Sequence, residues 1–211
     1  MSEPRPHDVL FDPVFERNPI LLLMLGICSA LAVTTRLDSA LAMSLSVIAV
    51  MVGSSVTLAA IRRHVPDTIR IFVQISIIAT LVIVVDQLLQ AFFWEISKQL
   101  SVFVSLIVTN CIVMGRTEGF ALQHRPALSA LDALGHGLGY SAVLMSVAFV
   151  RELFGRGTIF GFEVMPLVSD GGWYVPMGLM SRAPVAFLLI AFLIWGLRSW
   201  KREQAEGRVE G

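Results

Sequence analysis

Apolar residues along this chain fall into six runs separated by short polar stretches. The first is Pro19 to Thr35, stopped by Arg36 and Asp38, and the second is Ser39 to Ile61, stopped by Arg62, Arg63 and His64. A third covers Ile69 to about Phe93 with Asp86 near its end, and a fourth covers Leu100 to Gly115, closed by Arg116. The fifth spans about Leu131 to Val150, ending at Arg151 and Glu152, and the sixth runs from Pro176 to about Trp195 ahead of a basic tail. Runs two, three, five and six hold about twenty residues or more, enough for a helix to cross a hydrocarbon core of about 30 Å. Runs one and four reach only about 24–26 Å at the helical rise. They predict tilted short spans, half-helices or re-entrant pieces, and non-helical backbone at that depth persists only where protein covers it.

The order short, long, long occurs twice. Three segments is an odd number, so the second set enters the membrane in the opposite direction to the first, giving an inverted repeat about an axis in the membrane plane. Each short run carries a cysteine, Cys28 and Cys111, and each ends in a basic-x-acidic triplet, Arg36-Leu37-Asp38 and Arg116-Thr117-Glu118. The expected fold is an all-α integral membrane protein of six transmembrane segments in two inverted three-segment repeats, with segments one and four short or broken. Residues 1–18 form a cytoplasmic N-terminal segment, 19–99 and 100–200 the two repeats, and 201–211 a cytoplasmic tail.

Composition agrees with this class. Apolar residues make up 55% of the chain, charged residues 15%, and the mean hydropathy is +0.75. A soluble domain carries about a quarter charged residues to cover its surface. The net charge is zero, so no basic field exists to gather nucleic acid. The first eighteen residues mix Glu3, Asp8, Asp12 and Glu16 with Arg5 and Arg17, too acidic for a signal-peptide n-region. Six crossings put eleven Lys and Arg on the side shared by the termini and loops 2–3 and 4–5, against four on the other, with Arg182 at the mouth of run six assigned to neither. By the positive-inside rule both termini face the cytoplasm.

In an inverted repeat, equivalent positions of the short segments approach each other near the midplane. Cys28 and Cys111 are then candidates for one shared site, and thiolates suit soft centres such as Fe–S clusters, zinc or cuprous copper. A [2Fe–2S] cluster takes four thiolates, whereas this chain has two, so a cluster needs two more from a second chain. On the residues alone, packing remains the alternative, because free cysteine is commonly a small buried apolar residue.

The stretches Leu25 to Thr34 and Val108 to Arg116, which contain the cysteines, resemble the D-subunit family of the sodium-translocating NADH:quinone reductases. So do Ile83-Val84-Val85-Asp86-Gln87, the block Ser97 to Val104, and Phe149-Val150-Arg151-Glu152-Leu153. The likeness runs from about Asn18 through the sixth segment. The homologous subunit of the Rnf electron-transport complex is the alternative, although it usually has Cys-Pro where this sequence has Cys28-Ser29. The resemblance implies a multi-pass subunit of the bacterial inner membrane, in a translocase that couples NADH oxidation and ubiquinone reduction to Na+ transport. It implies that Cys28 and Cys111 bind the iron of an intramembrane [2Fe–2S] cluster shared with the paralogous E subunit. It also implies association with the A, B, C and F subunits, which hold FAD, FMN and riboflavin. No catalytic residue is expected in this chain itself.

Other residues invite readings of their own. Asp86 is the one acidic residue well inside an apolar run; an ion path is the functional reading, and a hydrogen-bonded interfacial carboxylate the plainer one. Asn110 and Thr109, beside Cys111, are placed either to donate hydrogen bonds toward cluster sulfur or to join helices. The sequence Gly135-His136-Gly137-Leu138-Gly139 superficially resembles a dinucleotide loop, but it opens an apolar segment without a preceding strand, which favours close helix packing. His136 reads as an interfacial histidine, and Arg36, Arg116 and Arg151 as snorkelling or acid-paired. The loop from Phe154 to Val175 ends in Trp173 and Tyr174, suited to an interfacial aromatic belt. A small secondary transporter, with its cysteines as packing, is the rival from a different class.

Overall fold

The computed structural model describes Ile20 and residues 25–62, 65–92, 106–159, 162–163, 178 and 182–200. Within them lie six α-helices: α1 (Ile27–Val33), α2 (Leu37–Ile61), α3 (Arg70–Phe92), α4 (Cys111–Arg116), α5 (Pro126–Arg156) and α6 (Ala183–Trp200). A 3-10 turn, Asp67–Ile69, leads into α3. A π-helical turn, Thr117–Ala121, continues α4. The strands Thr158–Ile159 and Phe162–Glu163 pair antiparallel, Thr158 opposite Glu163, in a ribbon after α5. Residues 1–18, the Ser97 to Ser101 block, Trp173, Tyr174 and the 201–211 tail lie outside the described residues.

Among the described residues, three helices are long and apolar enough to cross a membrane: Leu37–Ile61, Arg70–Ala91 and Pro126–Arg156. They match the second, third and fifth apolar runs. The fifth extends well beyond the run that announces it, to 31 residues. Proline at its first position costs no hydrogen bond there, and Gly157 closes it at φ 68, its N–H donating to the Leu153 carbonyl at 3.0 Å. The polar residues near its ends do not stop the helix, because Asp132, Arg151 and Glu152 are all buried against partners.

The core is the packing of α2 on α5, with Met43, Val47, Val50 and Met51 meeting Val143, Leu144 and Val147 in one apolar cluster. Small residues set how closely helices approach in a bilayer, where dispersion and interhelical hydrogen bonds replace most of the hydrophobic drive. Gly137 shows this directly, since a Cβ there would stand 2.8 Å from Ile48 Cγ1 and 3.3 Å from Met51 Cε. The glycine-rich stretch of 135–139 is therefore helical backbone pressed against α2 and not a phosphate loop. Along α2, Ser46, Ser54 and Thr57 turn their hydroxyls back to carbonyls one turn earlier, so these polar groups cost little in an apolar setting. Gly137→Val is expected to destabilise the fold by about 1–3 kcal/mol through overpacking. Gly119→Ala, whose Cβ would meet nothing within 4 Å, is the control; thermal unfolding of the solubilised protein separates the two.

Helix α3 packs along α2, and α6 packs on α1 and α5. The remaining faces of α3 and α6 carry exposed Phe72, Ile83, Leu88, Phe187, Phe192 and Trp195, apolar surface suited to lipid or to another subunit.

Candidate cofactor site at two helix starts

Each cysteine lies at the start of a short helix. Gly26, with φ 85, lies in the left-handed region, and α1 starts at the next residue. Glycine is required there twice over: the conformation disfavours a side chain, and a Cβ would stand 3.0 Å from Tyr140 Cε2. In the second short run the chain is helical at Leu106–Val108, leaves the helix at Thr109 and Asn110, and restarts as α4 at Cys111. Asn110 caps that restart, its Oδ1 accepting the Ile112 N–H at 3.2 Å. Cys28 is thus the second residue of α1 and Cys111 the first of α4. Both are free thiols, Cys28 exposed and Cys111 half-buried.

The two helix starts touch. Asn110 Nδ2 donates to Ser29 Oγ at 3.3 Å, and Ser29 Oγ is 2.7 Å from the hydroxyl of Tyr140. Since Ser29 follows Cys28 and Asn110 precedes Cys111, these contacts hold the two cysteine-bearing turns beside each other. Tyr140 lies near the middle of α5, so the junction is set about halfway along the longest helix.

From that junction the short helices run in opposite directions. Near the C-terminal end of α5, Arg151 Nη1 donates to Thr34 Oγ1 at 2.5 Å and to the Leu31 carbonyl at 3.3 Å, holding the far end of α1. Near the N-terminal end of α5, Asp132 accepts from Arg116 Nε at 3.0 Å and Nη2 at 2.5 Å, holding the far end of α4. A two-pronged contact of this kind fixes geometry as well as charge.

Around these anchors the polar groups are well partnered. His136 is buried, its Nδ1 3.0 Å from the Asp132 carbonyl and 3.3 Å from Asp132 Oδ1. It lies on the α5 face that carries the ion pair. Glu152 Oε2 accepts the Leu37 N–H at 2.6 Å, serving an orphan amide at the start of α2, and its Oε1 accepts from Thr158 at 3.3 Å. Arg36 pairs with Asp38 at 3.2 Å and Arg70 with Glu118 at 2.6 Å. Arg151, only 2% exposed, does not snorkel.

Asp86 stands apart from this junction, partly buried on α3, where Gln90 Nε2 donates to it at 2.7 Å. Thr109 is exposed, while Asn110 has its oxygen on Ile112 and its nitrogen on Ser29. Ser29 and Tyr140 are site residues that sequence reasoning missed. A local signal existed for the helix starts, because Gly26 and Asn110 are the residue types that open helices.

The description "Rnf-Nqr subunit, membrane protein" belongs to a family model that matches residues 7–194. The D subunit of the Na(+)-translocating NADH-quinone reductase of Shewanella baltica is 56% identical over 200 residues, covering 95% of each chain. This chain belongs to the Rnf-Nqr subunit family of membrane proteins.

Proposed function

We propose that this chain is the D subunit of a sodium-translocating NADH:quinone reductase and that Cys28 and Cys111 hold one half of an intramembrane [2Fe–2S] cluster. The observation that carries the reading is the pairing of the two free thiols, each in the first turn of a short helix, at starts joined by the Asn110–Ser29 contact. The similarity to an NADH-quinone reductase D subunit over 95% of both chains supports the assignment to that complex rather than to its Rnf relative.

The residues present fit such a group. Two thiols supply two of four ligands, and Cys28 is exposed on the single chain, open to a partner. The paralogous E subunit is the natural source of the other two. When bound, the cluster supplies a one-electron relay between the NADH-oxidising, FAD-bearing subunit and the flavin subunits that lead to ubiquinone. This chain would contribute two cysteine ligands at helix starts that the Asn110–Ser29 contact joins. Asn110 caps α4 through its oxygen and joins the helices through one of its two amide N–H groups. Asp86, remote from the junction contacts and paired with Gln90, is an interfacial carboxylate in this reading.

The opposed directions of α1 and α4 support two inverted three-segment repeats, in which half-helices meet inside the membrane. We assign six segments with both termini cytoplasmic in the bacterial inner membrane, following the basic residues.

The test is iron content in the purified complex with native cysteines, with Cys28→Ala and with Cys111→Ala, each checked for retained subunits. Loss of the same two irons in both variants is expected. Unchanged iron would reduce the cysteines to packing and favour the transporter reading.

A further inference from the structure

Tyr140 is the largest fully buried side chain among the described residues, yet it lies on a membrane helix and carries a hydroxyl. Burying that group is costly unless it is hydrogen-bonded. Phenylalanine would fill the same volume without the cost, so the hydroxyl calls for an explanation.

Its proton can be placed by counting donors. Ser29 has one hydroxyl proton, and its neighbours are the Gly26 carbonyl at 2.9 Å, the Tyr140 hydroxyl at 2.7 Å and Asn110 Nδ2 at 3.3 Å. The carbonyl only accepts, so Ser29 donates to Gly26. The Tyr140 hydroxyl and the Asn110 amide must then both donate to Ser29 Oγ, filling its two acceptor positions. Asn110 Oδ1 meanwhile takes the Ile112 N–H. No spare donor remains on Ser29. The network links the residue after Cys28, the residue before Cys111, the left-handed Gly26 and the middle of α5.

We propose that Tyr140 is a positioning residue: by donating to Ser29 Oγ it locks the two cysteine-bearing helix starts to α5 and so fixes the relative placement of the Cys28 and Cys111 sulfurs. The inference rests on the reading of those cysteines as cluster ligands. Tyr140 itself need not touch the cluster. It acts through Ser29 and, one bond further, through Asn110. Loss of the hydroxyl leaves the ligands in place and loosens their spacing, which alters the electronic environment of the group they hold without removing it.

The experiment uses the assembled complex with Tyr140→Phe, Ser29→Ala and the double variant. The electron paramagnetic resonance signal lost in Cys28→Ala identifies the cluster to follow, and its g-values, its reduction potential and the iron content are measured in each. Iron is expected to stay at the native level in Tyr140→Phe. The reduction equilibrium is expected to shift by about two- to tenfold, the range for loss of one buried hydrogen bond, with altered g-values. Because both residues act through one bond, the double variant should shift no further than Ser29→Ala alone. Native g-values and potential in Tyr140→Phe, or shifts that simply add in the double variant, would overturn the proposal. If Cys28→Ala removes no iron and no signal, the cluster reading itself fails, and that outcome is distinct. Should Tyr140→Phe lose the whole complex, Ser29→Ala still carries the test, since it removes the same bond from the other side.

Discussion

With Cys28 or Cys111 replaced by alanine, NADH-driven quinone reduction by the assembled complex is expected to fall by about a hundredfold or more. Changing a group that merely orients a metal ligand typically costs 10–100-fold, and removing the ligand itself costs more. The thiols sit at the first turns of α1 and α4, with Ser29 and Asn110 joining the two turns, and the chain has no third cysteine to replace either of them. NADH oxidation by a soluble artificial acceptor should persist in the same preparations, because that step precedes the relay. Ser146→Ala, an exposed residue whose hydroxyl only turns back to the Ala142 carbonyl, should leave both rates unchanged. Quinone reduction at half or more of the native rate in either cysteine variant would sink the relay.

The second large effect is on stability. Asp132→Ala leaves Arg116 without its two-pronged partner and removes a carboxylate oxygen from beside His136. The side chain of Asp132 is 5% exposed and that of Arg116 is 19% exposed, so water cannot readily take over. Breaking a buried pair from one side costs about 3–5 kcal/mol, because the remaining charge is stranded. For a chain of this size the unfolding midpoint should drop on the order of 10 °C. The damage should centre on α4, which Arg116 ties to the start of α5. Asp132→Asn, which keeps an acceptor but loses the charge, should fall between. A midpoint within about 2 °C of native for Asp132→Ala, the shift of well under 1 kcal/mol, would show that the pair contributes little net energy.

Three of the four long spans, the second, third and fifth runs, are legible in the sequence because runs of about twenty apolar residues have few alternatives to crossing a bilayer. The place of the cysteines in the short runs is legible for a related reason, since those runs are too short to be ordinary spans. What sequence does not supply is the partner of each polar residue. Arg151 reaches Thr34 and Leu31, and Glu152 reaches the Leu37 amide, from the far side of the chain. Proximity in a bundle decides those pairs, and no local periodicity records it. The fifth run comes out too short for the same reason. Arg151 and Glu152 read as the stop of the run, whereas the helix carries both, buried against partners, on to Arg156. The contact of His136 with Asp132 has no local signal either, because nothing local shows that Asp132 faces inward. Tyr140 offers no signal beyond being an aromatic in an apolar helix, and only the Ser29 contact gives it a role.

The long helix α5 also has an electrical consequence. At the helical rise, Asp132 and Arg151 are about 28 Å apart along its axis, close to the thickness of a hydrocarbon core, and Tyr140 lies about 12 Å from one and about 17 Å from the other. The cysteine junction therefore lies roughly midway between the two charged anchors along α5. An electron arriving there from either face traverses roughly half of the transmembrane voltage. Moving one full charge across is worth about 2.3 kcal/mol per 100 mV, so each arrival gains or loses about 1 kcal/mol per 100 mV of that voltage. In the proposed relay, a junction midway along a membrane-spanning α5 would make electron transfer electrogenic in itself, and an energised membrane would act back on its occupancy by an electron.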